Sequence, residues 1–351
     1  MKRITLFITL ILYLLCISAC SGNKNDYLLF KGLPKDEYPI NTVNYKEFKP
    51  QIFCCEGNSV FFAWNGTVYI HDNEGTKPLF EKSAYCLNCK NGKLFFVENN
   101  DYDIYSRDEV GAPGLIYCYD IASETEKQIT DFSVPQFVVT DEGIFYSDFQ
   151  EYGSSAVTGI CYFDESTGRS ERLYDGINYI EYSEYRLKYD WTDDAKVFFF
   201  NDSEEYLLEG VLPYWGTVSG DYFYYRSGID NSLNKMSLLN GNIVTLKPYK
   251  FELNGVLTEN ADKQFSCADY TVLNDEIYFI DNTGSLRRYN ESTDDYTIIE
   301  CGYQFIYLYS DNKNIYAVGW DAAIPTYPNP PIYHFIKLAL NGDSAYGEIL
   351  A

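Results

Sequence analysis

Cysteine has the widest chemical range of the residues in this 351-residue chain, and ten are present. Cys16 and Cys20 lie in the N-terminal leader; Cys54, Cys55, Cys86, Cys89, Cys118, Cys161, Cys267 and Cys301 remain. Cys86-Leu87-Asn88-Cys89 has the two-residue spacing of a dithiol redox pair or of half a zinc site. No second matching pair follows, so no metal site is expected. Several of the others stand at strand positions where a small apolar side chain suffices. Free buried thiols are therefore expected, with a Cys86–Cys89 disulfide as the alternative. The two histidines offer less. His71 occupies a repeat position held elsewhere by Tyr119, Phe163, Met236 and Tyr289, and His334 also reads as a strand residue. Neither forms a Ser/His/Asp arrangement. Carboxylate pairs such as Asp101/Asp103 and Asp193/Asp194 read as solvated turns rather than as acid and base. No loop has EF-hand ligand spacing. No catalytic residue, metal or cofactor is expected.

Binding chemistry is better supplied. Tyr102, Asp103, Tyr105, Asp148, Phe149, Tyr152, Trp320, Asp321 and Tyr327 fall in the longer gaps between apolar runs. An aromatic face beside carboxylates stacks a sugar ring and accepts hydrogen bonds from its hydroxyls. It equally grips a peptide, where Tyr and Trp serve as rigid anchors. The proline-rich stretch that begins at Trp320 is the most loop-like and the first choice among these.

The elements that must hold such loops show as an internal repeat. A polar turn followed by an aromatic strand appears as Gly57-Asn58-Ser59-Val60-Phe61-Phe62, Asn91-Gly92-Lys93-Leu94-Phe95-Phe96 and Asp141-Glu142-Gly143-Ile144-Phe145-Tyr146. It recurs with Val197-Phe198-Phe199, Tyr222-Phe223-Tyr224, Ile277-Tyr278-Phe279 and Ile315-Tyr316. From Val60 to Ile315 are 255 residues in six intervals, a mean period of 42.5. A second tag ending in a turn residue follows in most units, as in Val68-Tyr69-Ile70-His71-Asp72 and Ile116-Tyr117-Cys118-Tyr119-Asp120. The fourth unit has no clean copy, and Tyr206-Leu207-Leu208 is read in its place. Abundant Tyr (35) and Phe (23) suit strands, and no long apolar 3.6-residue period competes. The expected fold is all-β, a β-propeller of seven blades, with six or eight as alternatives. With the first tag as strand two and the second as strand three, the insertions collect on one face, joined there by the inter-blade run 247–267.

The pairing of Gly220-Asp221-Tyr222-Phe223-Tyr224-Tyr225 with Leu233-Asn234-Lys235-Met236-Ser237-Leu238-Leu239-Asn240-Gly241 resembles bacterial domain-of-unknown-function propellers often carried by lipoproteins. These are similar to the Tyr-Trp-Thr-Asp propellers of the low-density lipoprotein receptor, although the tetrapeptide itself is missing. The resemblance covers about residues 51–350 and implies a propeller without naming a partner. Asp164-Glu165-Ser166-Thr167-Gly168 resembles a turn of quinoprotein-like propellers, but their docking tryptophans are absent and no quinone is expected.

The N-terminus predicts location. Lys2 and Arg3 precede an apolar stretch over 4–15 that is too short to span a bilayer and fits a secretory signal. Ile17-Ser18-Ala19-Cys20 then resembles the lipobox of bacterial lipoproteins, which implies that Cys20 becomes the acylated mature N-terminus. The alternative is an ordinary signal cut after Ala19. The expected organisation is a lipoprotein signal peptide at 1–19, a lipidated Cys and tether at 20–50, and the propeller at 51–351. Acidic residues outnumber basic ones 51 to 27, for a net charge of −24. That balance argues against nucleic acid and against lying flat on an anionic membrane. The chain is therefore expected to be exported, to touch the bilayer through its anchor only, and to be a monomer. Its expected role is a noncatalytic binding or scaffolding module for a protein or glycan at the cell envelope. Two alternatives stay open: a glycan hydrolase or lyase using loop carboxylates in the central funnel, and an assembly factor that recognises strands at blade edges.

Overall fold

The structure is a computed structural model. It describes residues 51–98, 114–134, 137–139, 143–152, 155–175, 177–182, 185–190, 196–201, 205–208, 213–227, 233–237, 239–246, 252–253, 256–257, 267–281, 283–291, 293, 295–311, 313–324 and 331–351. Within 147–160 and 172–218 the description is of backbone pairing. Residues 1–50, where the signal peptide, Cys20 and tether are expected, lie outside the described residues, as do Tyr102, Asp103, Tyr105 and Tyr327.

Among the described residues, seven four-stranded antiparallel sheets follow one another along the chain, each from one stretch of sequence. The first is β1 (Phe53–Glu56), β2 (Ser59–Trp64), β3 (Thr67–Asp72) and β4 (Gly75–Glu81); the second is β5 (Ala84–Lys90), β6 (Lys93–Glu98), β7 (Leu115–Asp120) and β8 (Thr125–Gln128). The third is β9 (Phe137–Val139), β10 (Ile144–Tyr152), β11 (Ser155–Asp164) and β12 (Arg169–Asp175). The fourth is β13 (Ile177–Tyr182), β14 (Tyr185–Asp190), β15 (Lys196–Asn201) and β16 (Glu205–Leu208). The fifth comprises β17 (Pro213–Ser219), β18 (Tyr222–Ser227), β19 (Leu233–Ser237) and β20 (Ile243–Thr245). A two-stranded hairpin, β21 (Glu252–Leu253) and β22 (Val256–Leu257), precedes the sixth sheet, β23 (Cys267–Leu273), β24 (Glu276–Asp281), β25 (Leu286–Asn290) and β26 (Asp295–Ile298). The seventh is β27 (Tyr303–Ser310), β28 (Ile315–Asp321), β29 (His334–Asn341) and β30 (Ser344–Ile349).

Turn chemistry sets the register. Asn65-Gly66 between β2 and β3, and Asn91-Gly92 between β5 and β6, place two successive residues at positive φ (46° and 77°, 52° and 71°). That is the two-residue hairpin whose twist matches the strands it joins. Strand alternation then sorts side chains between neighbouring sheets. In β1, Phe53 faces the seventh sheet, where it stacks 5.3 Å from Tyr309, while Cys54 faces the second. Among the described residues, the joint between the last sheet and the first contains no exchanged strand. It is filled by a ring cluster in which Phe335 stacks on Phe62 at 4.2 Å and 5°. Two side-chain bonds span the same joint: Lys313 Nζ donates to Asn58 Oδ1 (2.9 Å), and Lys337 Nζ lies 3.0 Å from His71 Nε2. An ammonium only donates, so Nε2 accepts and the Nδ1–H donates to Thr76 Oγ1 (2.9 Å). His71 is thus the packed strand residue that its repeat position suggests, at 8% exposure.

Two local expectations are corrected. In the fourth sheet Val197-Phe198-Phe199 lies on β15, the third strand, and Tyr206-Leu207-Leu208 on β16, the fourth. Strand two there is β14, whose apolar positions alternate with Arg186 and Lys188 and so lack the aromatic run of the other tags. The gap containing Asp148, Phe149 and Tyr152 is no loop. β10 and β11 stay paired from Ile144↔Phe163 to Tyr152↔Ser155, a long two-stranded ribbon.

Candidate ligand-binding face

Antiparallel order places the connections between strands two and three, and those between sheets, at one end of the sheets. Trp320 stands near the end of β28 at that end, as Trp64 does at the end of β2. Trp64 is buried against Phe335 (6.2 Å). Trp320 is set differently. Its ring meets Tyr333 edge-on at 5.5 Å and 82°, and its buried indole Nε1–H finds no acceptor among the described residues. A buried N–H without a partner costs roughly 1–3 kcal/mol, so an acceptor supplied from outside the sheet would be stabilising there. Gly319, one residue earlier, is required by the close approach of β27: a Cβ there would lie 2.4 Å from the Gln304 carbonyl oxygen. Ile324 and Ile332 flank this pair at 52% and 70% exposure.

Asp321 shapes its own turn. Its Oδ1 accepts the Ala323 N–H (2.8 Å) and its carbonyl accepts the Ile324 N–H (3.1 Å), so it shapes the turn that presents Ile324. Phe149 and Tyr152 belong to the β10–β11 ribbon, at the same end of the third sheet by topology. Of the expected ligand-binding residues, Trp320 and Asp321 are those whose side chains the structure places, and they sit side by side.

The reading from sequence missed Asp281, at the corresponding end of β24. Its carboxylate, 1% exposed, accepts from Thr283 N (2.8 Å), Thr283 Oγ1 (2.6 Å), Ser285 N (3.0 Å) and Arg287 Nε (2.6 Å). Burial alone pushes its pKa up, but the Thr283 and Arg287 bonds outweigh it and hold the carboxyl below the usual range. The Asp-x-Thr-Gly-Ser spacing was the available signal for this self-capped loop. The loop fixes the face, because Gly284 O accepts the Phe305 N–H of the seventh sheet (2.8 Å). Further round, Lys82 bridges Glu98 (2.9 Å) and Glu126 (2.8 Å) with its ammonium 4.3 Å from the Tyr117 ring centroid.

Among the described residues, two carboxylates of the innermost strands are engaged by main-chain N–H groups. Glu56 of β1 accepts the Gly92 N–H (3.0 Å), and buried Asp269 of β23 accepts the Leu308 N–H (2.6 Å). Among the described residues no group of three or more His, Cys, Asp and Glu is arranged to hold a metal ion. Among them, too, no helix is long and apolar enough to cross a membrane.

Cys86 and Cys89 are separate thiols. A bulge between Tyr85 and Asn88, with Cys86 at φ 53°, turns Cys86 toward the third sheet, where its Sγ contacts the Phe137 carbonyl. Cys89 packs on the other side, in the cluster of the first sheet. Opposite sides of one sheet do not bridge, and this is why the two-residue spacing misleads.

No protein-family model matches the chain, and no curated protein matches it in sequence. Solved structures do match in shape. A puromycin-hydrolysing peptidase of Mycobacterium tuberculosis superposes with a TM-score of 0.55 at 14% identity, over 91% of this chain and 56% of that one. The β-propeller domain of the trilobed protease from Pyrococcus furiosus gives 0.52 at 11% identity, over 88% of this chain and 97% of that domain. The acylaminoacyl peptidase of Pyrococcus horikoshii gives 0.52 at 12%, over 84% of this chain, which spans about half (48%) of the peptidase's length. Likeness at this identity defines fold alone. The chain folds as a β-propeller. Among the described residues each sheet is closed on itself, with no strand shared across the last joint.

Proposed function

We propose that this chain is an exported propeller lipoprotein, held to a bacterial membrane by an acyl chain on Cys20. In this reading it is a monomeric, noncatalytic module that binds at the strand-two-to-three end of its sheets. The observation that carries the binding reading is the Trp320 corner: an indole N–H without an acceptor among the described residues, an edge-packed Tyr333, and two strongly exposed isoleucines beside them. Such a patch, aromatic and aliphatic with one unmet donor, suits a protein segment that brings a carbonyl and apolar side chains. A glycan is the alternative ligand, stacking on the indole. The engagement of Glu56 and Asp269 with main-chain N–H groups supports binding over hydrolysis. The Ile17-Ser18-Ala19-Cys20 run supports the anchor.

The test uses the chain from residue 21 onward in a thermal-shift screen against peptides and wall glycans. A ligand at a hundredfold excess over its Kd adds about 2.7 kcal/mol of apparent stability. The expected hit raises the midpoint of the wild type and not of Ile332→Glu, whose exposed position leaves the fold intact. A ligand that binds both equally refutes the site, and a glycan that is cleaved during incubation refutes the noncatalytic role. Labelled palmitate should enter the full chain and not Cys20→Ser in a bacterial host; equal labelling refutes the anchor.

A further inference from the structure

The cysteines of the first two sheets form an arrangement that the binding reading does not use. β1 and β5 are the innermost strands of neighbouring sheets, run side by side, and are tied by the Leu87 N–H to the Gln51 carbonyl at 2.9 Å. Cys86 Sγ adds a bond to Gln51 Oε1 at 2.7 Å. Counting forward in both strands from this tie brings Cys54 and Cys89 nearly level. Alternation aims Cys54 away from the seventh sheet and toward the second, and Cys89 packs back into the same cluster. The two thiols hydrogen-bond to each other. Cys55 lies on the other side of β1, where it is governed first by burial and then by the fields of Cys89 and Asp311.

We propose that Cys54 and Cys89 form a disulfide across the joint between the first and second sheets when the protein meets an external disulfide. The inference stands independently of the ligand and of the anchor. Cys89 is half-buried and Cys54 is buried, so the external disulfide RSSR reacts first at Cys89. The Cys89 thiolate attacks one sulfur, giving Cys89–S–S–R and releasing RSH. Cys54 Sγ, already in contact, then attacks Cys89 Sγ, loses its proton to solvent, and expels the second RSH. Two protein thiols are oxidised and one RSSR is reduced to two RSH, so atoms and electrons balance. Burial raises the pKa of Cys54 and pushes Cys55 up to about 12, which keeps both from reacting with solvent reagents on their own.

The full chain is incubated with oxidised glutathione, alkylated, and digested without reduction. Two thiols per chain should be lost, and a linked peptide should join the β1 and β5 segments. Cys55→Ser should keep the link, and Cys89→Ser or Cys54→Ser should abolish it. The cross-link closes a loop of 36 residues counted from Cys54 to Cys89, which should raise the thermal midpoint by roughly 8 °C, reversibly with dithiothreitol. Retention of all thiols in the native protein overturns the proposal, as does a bridge through Cys55 or Cys86. Should Cys54→Ser fail to fold, Cys89→Ser decides alone: loss of two thiols in that variant refutes the pairing.

Discussion

Phe335→Ala tests how far ring packing holds the joint between the seventh and first sheets. Phe335 is fully buried, with Phe62 stacked on it at 4.2 Å and Trp64, Tyr309, Tyr316 and Phe53 between 6.1 and 6.4 Å. A buried Phe→Ala change costs about 3–5 kcal/mol, made of lost transfer energy and the cavity left behind. The rings around this site are large and fixed by their own strands, so the space closes poorly and a loss of about 4 kcal/mol is expected. Total stability for a domain is only about 5–15 kcal/mol, so the loss is easy to see. Phe335→Leu keeps most of the volume and should cost under about 1.5 kcal/mol. Urea unfolding followed by tryptophan fluorescence measures both, with the slope checked for constancy. Hydrogen exchange should show the lost protection in β1–β4 and β27–β30 ahead of β5–β8. A cost below about 1 kcal/mol for Phe335→Ala, or protection lost evenly round the ring, refutes the claim that this cluster holds the joint.

Asp281→Ala strips four hydrogen bonds and leaves Arg287, its side chain 13% exposed, without its carboxylate; a loss of about 3 kcal/mol by urea unfolding is expected, and a change under 1 kcal/mol would contradict it. Because the folded-state pKa of Asp281 is depressed, its contribution is present above about pH 4 and is lost as pH falls through the lower folded value, so the acid limb of the stability curve should flatten in Asp281→Asn. His71 is also depressed, first by burial and then by Lys337. Its neutral form stabilises the fold above about pH 6.5, and that part fades as pH drops through the folded value. The thermal midpoint should therefore fall on acidification from pH 7 to 5, and His71→Gln should reduce the slope. Gly319→Ala forces a Cβ onto the Gln304 carbonyl and should cost about 2 kcal/mol, read in the same urea assay; a neutral result would show that β27 moves aside freely.

Most strands were legible because their signal is local. An Asn-Gly turn followed by alternating aromatics specifies its own hairpin, and β2, β3, β6 and β7 fall where the tags lie. The fourth sheet went astray for the same reason. Its β14 carries Arg186 and Lys188 between apolar residues, a weaker pattern than the Val197-Phe198-Phe199 run, so the strongest local pattern marked strand three. The β10–β11 ribbon read as a loop because pairing of residues 149 and 158 depends on a partner strand, not on composition. At the site, Trp320 is legible in the sequence as a loop-end aromatic, whereas its contact with Tyr333 and its N–H without an acceptor among the described residues depend on tertiary packing. The facing of Cys54 and Cys89 depends on two strand alternations and one bulge across 35 residues of separation, none of which shows in spacing.

The uncrossed joint has a mechanical consequence. Among the described residues the last sheet lends no strand to the first, so tension applied between residues 51 and 351 meets ring packing and two side-chain hydrogen bonds there. Once that contact parts, the sheets hang in series, each complete in itself. They would be peeled off singly from either end, with no shared element to break them all together. Each repeat of about 42 residues paid out at ~3.5 Å per residue lengthens the chain by about 150 Å. The molecule would behave as a ratcheted spacer between its two ends, lengthening in equal increments while the remaining sheets stay folded.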